Sequence, residues 1–385
     1  MKIGVFFGGK NPEHDISILT GQLVLNGLKK AGFDACAVYL GKNGDWHIGK
    51  ELEDVSFFKK KADMKDMGRW SIDLERSRGK MTFVQKGIFG TTVEIDMAFP
   101  AFHGQNGEDG TAQGLFELFG IPYVGCGVAC SAIAMDKVTT KLLYEQAGFP
   151  TTKFIWFRKA DWDRNKDDFM NKIRTGLKWP LFVKPARLGS SIGIAKAGNE
   201  KELLFAVDVA FRYDDKILVE EGVESVMDVT CCVIGAAEPV PSLLQECIFA
   251  EGFFSYEDKY LTGGGAQLGN AKSGFEIPAR LDEATTASVR NLAVKVFSKF
   301  ECSGIARVDF LYDAKAGAIF VNEINTMPGT VYHHLWEKSG IPLPELMRRL
   351  VACAHERHKE KEGMISSFSS NVLAHADWSA KLGKR

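Results

Sequence analysis

The first forty residues switch from one hydrophobic pattern to another, and this switch constrains the fold more than any other feature. A short apolar run, KIGVFF at 2–7, precedes Gly8 and Gly9. Apolar residues then recur mostly at spacings of three and four, which is typical of a helix: Ile16, Leu19, Leu23, Val24 and Leu28. ACAVYL at 35–40 predicts the next strand. A strand, a helix and a strand in this order indicate a parallel sheet with right-handed crossovers.

The rest of the chain contains further strand and helix patterns. With 385 residues it is too long for one ordinary core, so we expect two or three domains. Strands are predicted at 93–104, 179–186, 214–223 and 227–235, and helices at 134–148 and 342–358. IARVDFLYD and AGAIFVNEIN predict a β-hairpin. Residues 50–90 show no clear periodicity, and we expect the polar last 25 or so residues to be peripheral.

The composition excludes several classes of protein. A net charge of -1 and a pI near 6.7 give no basic surface for nucleic acid or an anionic membrane. No apolar stretch reaches the roughly 18–20 residues that a membrane span needs, and the N-terminal run is too short for a signal peptide. None of the eight cysteines forms a C-x-x-C pair, which argues against a zinc or thioredoxin-like site. We expect reduced thiols and a cytoplasmic protein.

The predicted hairpin concentrates polar side chains on one face. Arg307 and Asp309 are two residues apart, as are Glu323 and Asn325, so each pair shares one face of its strand. If the strands pair, Asp309, Glu323 and Asn325 meet there. Such oxygen donors suit Mg²⁺. The same pattern would also fit a solvated sheet face with paired charges.

A second group of residues suits a nucleotide. Lys184 ends an apolar strand and precedes the Gly- and Ser-rich loop 189–193, whose small residues would let backbone N–H groups close around phosphates. Lys137 lies near a helix start, and Glu220 and Asp228 lie near strand ends, where carboxylates can accept from adenine or ribose. Taken singly, each is also consistent with a surface lysine or a charge run.

Two other nucleotide motifs are excluded. GDWHIGK at 44–50 lacks the Ser or Thr that follows the lysine of a P-loop, and no helix pattern follows it. The first strand is not followed by G-x-G-x-x-G, so a hydride-transferring dinucleotide enzyme is also excluded. A nucleotide-binding protein without catalysis stays an alternative, although Arg307 and the three oxygen donors argue against it.

In combination these motifs resemble the D-alanine–D-alanine ligase family of the ATP-grasp superfamily. They occur in family order as Lys137, VKPARLGSSIG, LVEEGVES, RVDF and FVNEINTMPG. GGKNPEHDIS resembles the family's G-G-x-S-x-E-x-E-V-S segment, and FHGQNGEDGTAQG resembles H-G-x-x-G-E-D-G-x-x-Q-G. The resemblance covers roughly residues 2–355.

The resemblance implies an α/β fold, α+β overall, with three domains. We expect an N-terminal parallel α/β domain at 1–125 and two α+β lobes that sandwich ATP, at 126–220 and 221–360, with a peripheral tail at 361–385. It also implies a cytoplasmic homodimer that joins two D-alanines through an acyl phosphate, giving D-alanyl-D-alanine, ADP and phosphate for peptidoglycan precursors. Two Mg²⁺ ions, or Mn²⁺ in their place, would assist. The alternative is a ligase with another acceptor, such as D-serine.

The resemblance also implies roles for individual residues. Those at the ATP site would be Lys137, Lys184, Ser191, Glu220 at adenine, Asp228 at ribose and Lys259 at the γ-phosphate. Asp309, Glu323 and Asn325 would hold the metal ions, with Arg307 beside the transferred phosphoryl group. At the first D-alanine, Glu13 would hold the ammonium, His103 would lie near the carboxylate, and Ser190 and Tyr260 would complete a network with Glu13. The Gly329 N–H would face the oxyanion.

Three features complete this expectation. Residues 251–269 would form a lid over the site, and Lys259-Tyr260 within it favours the dipeptide-forming branch over D-lactate relatives. Asp228 stands where the family usually has Glu. His334 stands near the place of a serine that binds the second substrate's carboxylate, and a histidine binds a carboxylate better when protonated.

Overall fold

The computed structural model describes residues 1–60, 67–87, 90–248 and 274–375. Within these ranges the chain forms three sheets, each covered by helices. The strands of the first sheet are β1 (Lys2–Gly8), β2 (Asp34–Leu40), β3 (Trp46–Ile48), β4 (Trp70–Ile72), β5 (Met81–Gln85), β6 (Thr92–Ile95) and β7 (Met97–Pro100), in the order β6-β5-β4-β3-β2-β1-β7.

The predicted β-α-β opening is confirmed. β1 pairs in parallel with β2 and with β7, and the connection to β2 is α1 (His14–Lys30). The other pairings of this sheet are antiparallel, so the sheet is mixed and not wholly parallel. The antiparallel strands β4 and β5 come from residues 50–90, whose short segments left no periodic signal.

The single strand predicted at 93–104 is wrong, because the structure divides it at Asp96. β6 pairs with β5, whereas β7 pairs with β1. Between them the Asp96 backbone N–H donates to the Lys2 carbonyl at 2.9 Å, and its carboxylate accepts from the Lys2 N–H at 2.7 Å. These bonds fix the point at which the chain changes neighbours. Along the chain, the short helix α2 (Val55–Lys59) lies between β3 and β4, and α3 (Thr111–Phe119) follows β7.

The second sheet is antiparallel and carries Lys184 and Glu220 of the predicted nucleotide residues. Its strands are β8 (Phe154–Arg158), β9 (Leu181–Pro185), β10 (Ala195–Ala197) and β11 (Lys216–Glu221), in the order β10-β9-β11-β8. Its helices are α6 (Lys159–Gly176) and α7 (Glu200–Ala210), and α4 (Val128–Met135) and α5 (Lys137–Ala147) lead into it. The sequence predicted α5 but not α4, which is only two turns long.

The third sheet is antiparallel and contains the predicted hairpin. Its strands are β12 (Val226–Gly235), β13 (Val240–Cys247), β14 (Phe275–Glu276), β15 (Gly304–Asp313) and β16 (Ala318–Asn325), in the order β14-β13-β12-β15-β16. Helix α8 (Glu283–Lys299) packs on it, and α9 (His333–Lys338), α10 (Leu343–Glu362) and α11 (Val372–His375) follow.

The C-terminal helix α10 ties the third sheet to the first. Leu346, Met347 and Leu350 of α10 lie in one buried cluster with Val24 and Leu28 of α1. A Cβ on Gly27 would come within 2.9 Å of the Met347 side chain, so the two helices cross closely. This packing holds the turn that follows β16 against α1, where the backbone N–H of residue 330 donates to the Thr20 hydroxyl at 2.9 Å.

Gly304, at the start of β15, should be more sensitive to substitution than Gly317 in the hairpin turn. Both have positive φ, +76° and +65°, so alanine is strained at either place. A Cβ at Gly304 would also lie 2.9 Å from the backbone nitrogen of Gly125, whereas Gly317 has open space. We expect Gly317→Ala to lower the free energy of unfolding by about 1 kcal/mol and Gly304→Ala by about 3 kcal/mol or more. Urea unfolding measures both, and equal losses would refute the close approach.

Candidate active site

The register of the hairpin brings together the residues that the sequence assigned to a metal. Asp309 pairs with Glu323, and Arg307 pairs with Asn325. The Asn325 amide donates to Asp309 Oδ2 at 3.0 Å, and Arg307 Nη2 lies 3.9 Å from Glu323 Oε1. The predicted common face is therefore present, with a bulge just beyond Asp309 that interrupts the pairing.

Arg307 is the buried centre of this group. Its Nε donates to Asp309 Oδ1 at 2.8 Å, its Nη2 donates to Oδ2 at 2.7 Å, and its guanidinium lies 5.1 Å from the Tyr332 ring centroid. Burial alone would lower the pKa of Arg307, but the Asp309 carboxylate outweighs it and raises the pKa well above its usual value. Arg307 is therefore a permanent cation, which a buried site holds only with a carboxylate beside it.

The donor set fits a hard divalent cation. Asp309 accepts from Arg307, from Asn325 and from the Thr230 hydroxyl at 2.8 Å, so its oxygens are held in fixed directions. Glu323 is only partly buried and lines the cleft beside it. In the structure the amide nitrogen of Asn325 faces Asp309. A rotation of the amide by about 180° would exchange its nitrogen and oxygen, so the oxygen could bind an ion held by Asp309 and Glu323. The oxygen donors are those that Mg²⁺ prefers.

Glu13 faces these residues across one cleft. It directly precedes α1, and its carboxylate accepts a hydrogen bond from the Ser190 hydroxyl. A Cβ on Gly104 would lie 2.5 Å from Glu13 Oε2, and one on Gly189 would lie 2.8 Å from the same oxygen. The glycines of two loops therefore let the chain approach this carboxylate from two sides. Ser190 itself has φ +55°, a conformation that costs free energy and places its hydroxyl on Glu13.

His103 lies at the same end of the cleft. Its Nε2 is 2.7 Å from the Thr20 hydroxyl, and its Nδ1 is 3.8 Å from the Glu108 carboxylate. Glu108 in turn accepts from the Gly104 N–H at 2.7 Å, which holds the loop around the ring. His103 is buried and positioned from both ring nitrogens, with one edge on the cleft.

The cleft is lined by residues of all three sheet regions. Those from the predicted set are Glu13, His103, Lys137, Ser190, Arg307, Glu323, Asn325 and Gly329. Lys137 Nζ donates to the Leu188 carbonyl at 2.7 Å and lies 3.7 Å from Glu323 Oε2. Its ammonium thus stands between the glycine- and serine-rich loop and the carboxylate that the sequence assigned to a metal.

A buried ion cluster adjoins the cleft and contains a residue that sequence reasoning missed. Glu220 forms ion pairs with Lys184 and, at 2.8 Å, with Lys141, and all three are almost completely buried. Burial alone would raise the pKa of Glu220, but the two ammonium groups outweigh it and lower the pKa to about 2. Burial lowers the pKa of Lys141. Lys141 Nζ is held further by the hydroxyls of Thr151 and Thr152 at 2.8 and 2.7 Å.

Lys141 left one signal in the sequence. It follows Lys137 by four residues, so the two lysines lie on the same side of α5 and face the second and third sheets together. A helix surface lysine is so common that this spacing alone did not single it out. Lys184 lies at the end of β9 and is paired in register with Leu218 of β11, two residues before Glu220.

His334 is not among the described residues that line the cleft. It is buried, its Nε2 is 2.7 Å from Gln245 Oε1, and its ring packs against those of Tyr332 and Phe275. Burial, with smaller contributions from His333 and Arg307, lowers the pKa of His334 to about 4. The protonated form, which we expected to bind a carboxylate best, is therefore disfavoured near neutral pH, and contact between His334 and the second substrate stays a prediction.

Two further predicted site residues, Asp228 and Ser191, lie in the described part of the chain, and the remaining ones lie outside it. Asp228 is half-buried on β12, paired in register with Cys247 and Leu311. Ser191 has φ +58° in the same loop as Ser190. Lys259, Tyr260 and the predicted lid at 251–269 lie outside the described residues.

Replacing Lys141 by methionine should destabilise the fold, because Glu220 would lose one of the two cations that hold it charged. We expect the free energy of unfolding at pH 7 to fall by about 3 kcal/mol. The control is Lys159→Met, which removes a half-exposed partner of Asp163 and should cost less than about 1 kcal/mol. Urea unfolding gives both values, and equal losses would mean that the buried cluster contributes nothing beyond a surface pair.

The low pKa of His334 predicts a loss of stability in acid. Because the folded state binds this proton less readily than the unfolded state, the neutral ring stabilises the fold above pH 6.5. That contribution is lost as the pH falls from 6.5 towards 4. Between these values the wild type should lose about 3 kcal/mol more than His334→Gln, which cannot titrate. His355→Gln, exposed on α10, should follow the wild type. Parallel curves for wild type and His334→Gln would contradict the assignment.

Comparison with known proteins gives one consistent result. The family model of the D-ala D-ala ligase N-terminus matches residues 2–126, and that of the C-terminus matches residues 143–352. The D-alanine–D-alanine ligase of Geobacillus kaustophilus is 38% identical over 371 residues, which cover 95% of this chain and 98% of that protein. The enzyme of the same name from Acetivibrio thermocellus is 37% identical over 373 residues, covering 93% and 97%.

Solved structures agree with the sequence comparisons. The D-alanine-D-alanine ligase from Coxiella burnetii has a TM-score of 0.76 and 29% identity, covering 94% of this chain and 97% of that one. The VanG D-Ala:D-Ser ligase from Enterococcus faecalis has a TM-score of 0.78 and 31% identity, covering 92% and 99%. The fold is therefore the mixed α/β ATP-grasp fold predicted from the motifs, and the chain belongs to the D-alanine–D-alanine ligase family.

Proposed function

We propose that this protein is an ATP-dependent D-alanine–D-alanine ligase that supplies the dipeptide for peptidoglycan precursors. The observation that carries the proposal is one cleft in which the Arg307, Glu323 and Asn325 group faces the Glu13 and Ser190 pair. A cation-binding group opposite a fixed carboxylate is what an enzyme needs to bring a phosphoryl donor against an amino acid. Family membership supports ATP and a divalent cation as its requirements.

The reaction needs two steps, because a free carboxylate does not react with an amine. The carboxylate of the first D-alanine takes the γ-phosphoryl group of ATP, giving an acyl phosphate and ADP. The amine of the second D-alanine then attacks the acyl carbon, and phosphate leaves as the amide forms. We assign Glu13, fixed by Ser190, to the ammonium of the first D-alanine, and His103 to the neighbourhood of its carboxylate.

Phosphoryl transfer depends mainly on positioning and on neutralising charge. We assign Lys137 and Lys184 to the ATP phosphates, with Ser191 in the loop above them, Glu220 to adenine and Asp228 to ribose. Asp309, Glu323 and Asn325 would hold Mg²⁺, which neutralises phosphate charge when bound. Arg307 would turn part of its guanidinium from Asp309 to the transferred phosphoryl group, since a planar cation with several donors can serve both.

The second step makes an oxyanion that must be stabilised. We assign the backbone N–H of Gly329 to it, because Gly329 lines the cleft at the turn that follows β16. The next three residues, Thr330, Val331 and Tyr332, all have positive φ, so this turn is strained and held by its packing against α1. We assign Lys259 to the γ-phosphate and Tyr260 to the network of Glu13 and Ser190, both from the family motif.

The finer points of the prediction stand as proposals that rest on the family. They are two ions at the metal site, Mn²⁺ as a substitute, a homodimer, a cytoplasmic location and domain limits at 125, 220 and 360. Among the described residues no helix is long and apolar enough to cross a membrane. D-serine as the second substrate stays the alternative, favoured by the similarity to the VanG D-Ala:D-Ser ligase.

Phosphate release from ATP tests the proposal directly. With ATP and Mg²⁺, and with D-alanine as the only amino acid, the protein should release one phosphate for each D-alanyl-D-alanine formed. Asn325→Ala should lower turnover at least about 100-fold while staying folded, because it removes a cation ligand. Lys315→Ala, in the exposed turn of the same hairpin, should leave turnover unchanged.

Adding a second D-amino acid decides the acceptor. We expect D-alanine to be preferred over D-serine in product analysis by mass spectrometry. Mixed D-alanyl-D-serine as the main product would establish the alternative. Phosphate release without a dipeptide would overturn the assignment of function. Full activity of Asn325→Ala would overturn the assignment of the metal site.

A further inference from the structure

Three cysteines that are far apart in the sequence converge on one buried point. Cys130 Sγ and Cys302 Sγ are 3.5 Å apart, and the Sγ atoms of all three cysteines, including Cys126, lie within 4.8 Å of one another. The three residues are only 2, 4 and 6% exposed. The spacing of the cysteines argued against a thiol site, since Cys126 and Cys130 are four residues apart and Cys302 is 172 residues beyond Cys130.

The spacing of the sulphurs suits one thiophilic cation. Three sulphurs that each lie about 2.3 Å from a tetrahedral zinc ion are about 3.8 Å from one another. The Cys130–Cys302 separation of 3.5 Å is close to this value, and the other two separations are no more than 4.8 Å, so small side-chain movements would bring the three sulphurs onto one ion. Cys126 Sγ would give up contacts of 3.6 and 3.7 Å to the carbonyls of Ser303 and Ile305, which are weak.

A fixed positive charge lies close to the cluster. Arg357 Nη2 donates to the Tyr123 carbonyl at 2.8 Å, and its Nη1 donates to the carbonyl of residue 125. A guanidinium is thus fixed beside the residue that precedes Cys126.

Hydroxyl donors for the sulphurs are also present. Among the described residues, the side-chain oxygens of Ser131, Ser303 and Tyr144 are buried and have no hydrogen-bond partner. Ser131 and Ser303 are the chain neighbours of two of the cysteines, and Tyr144 packs in the same buried cluster. An unpaired buried donor costs free energy, and a metal-bound thiolate is a better acceptor than a thiol.

We propose that Cys126, Cys130 and Cys302 form a binding site for one thiophilic divalent cation, such as Zn²⁺ or Cd²⁺, separate from the site for Mg²⁺. Each thiol that binds releases its proton to solvent, so one ion on three thiolates releases up to three protons and leaves a net charge of -1. Arg357 offsets this charge. Affinity should therefore rise with pH. The site does not depend on the ligase activity proposed above.

The site would join two elements that line the cleft. Cys130 lies on α4, whose last residues Ala134 and Met135 form part of the cleft wall. Cys302 is five residues before Arg307 of β15. An ion bound to both would cross-link α4 to the strand that carries Arg307 and so stabilise the folded state by mass action.

Titration of the reduced full-length protein with Cd²⁺ tests the proposal. Excess Mg²⁺ is kept present so that carboxylate sites are filled. The ultraviolet band of thiolate-to-cadmium charge transfer should saturate at one ion per chain, Zn²⁺ should displace it, and the thermal midpoint should rise. Cys130→Ser and Cys302→Ser should lose the saturable band. Cys353→Ser, which changes a cysteine on α10 outside the cluster, should keep it.

Wild-type protein alone gives a second measurement if the cluster variants fail to fold. X-ray absorption at the cadmium edge should count three sulphur neighbours, and alkylation mapped by mass spectrometry should find Cys126, Cys130 and Cys302 protected by the ion. A band that Cys130→Ser retains, fewer than three sulphurs at the ion, or a Cys130–Cys302 disulfide formed in place of ion binding would overturn the proposal.

Discussion

The buried guanidinium of Arg307 is the constraint on which the site depends. A cation this deeply buried is stable only beside a carboxylate, and the antiparallel register supplies Asp309 two residues away and Glu323 across the hairpin. The same carboxylates that compensate Arg307 are the oxygen donors that a divalent cation needs. In the function proposed above, charge compensation of Arg307 and cation binding therefore use one set of atoms, which the fold must hold in place for both.

Three separate parts of the chain converge on this group. The first sheet contributes Glu13 at the start of α1, the second contributes the Ser190 loop, and the third contributes the hairpin. Glycines at 104 and 189 allow the loops to close on Glu13 without a steric clash. Helix α10 packs on α1, so it stabilises the position of α1, which directly follows Glu13, relative to the turn at Gly329.

Local patterns predicted several strongly periodic elements, including α1, α10 and the hairpin, but not the long helices α6 and α8. They failed where tertiary pairing decides, because no local signal marks the change of neighbours at Asp96 or the short antiparallel strands from 50–90. The common face of Asp309, Glu323 and Asn325 followed from the strand period together with the predicted pairing of the hairpin. Lys141 and the cysteine cluster did not, since ion pairs and sulphur contacts between distant segments depend on how sheets pack.

A crystal structure with ADP, Mg²⁺ and a phosphorylated phosphinate mimic of the tetrahedral species formed between two D-alanines would test the proposed site as a whole. We expect Mg²⁺ on oxygens of Asp309, Glu323 and Asn325, with the Arg307 guanidinium in contact with the transferred phosphoryl group and the Glu13 carboxylate on the ammonium of the first residue. Mg²⁺ bound away from these three side chains, or the mimic bound outside the cleft, would contradict it.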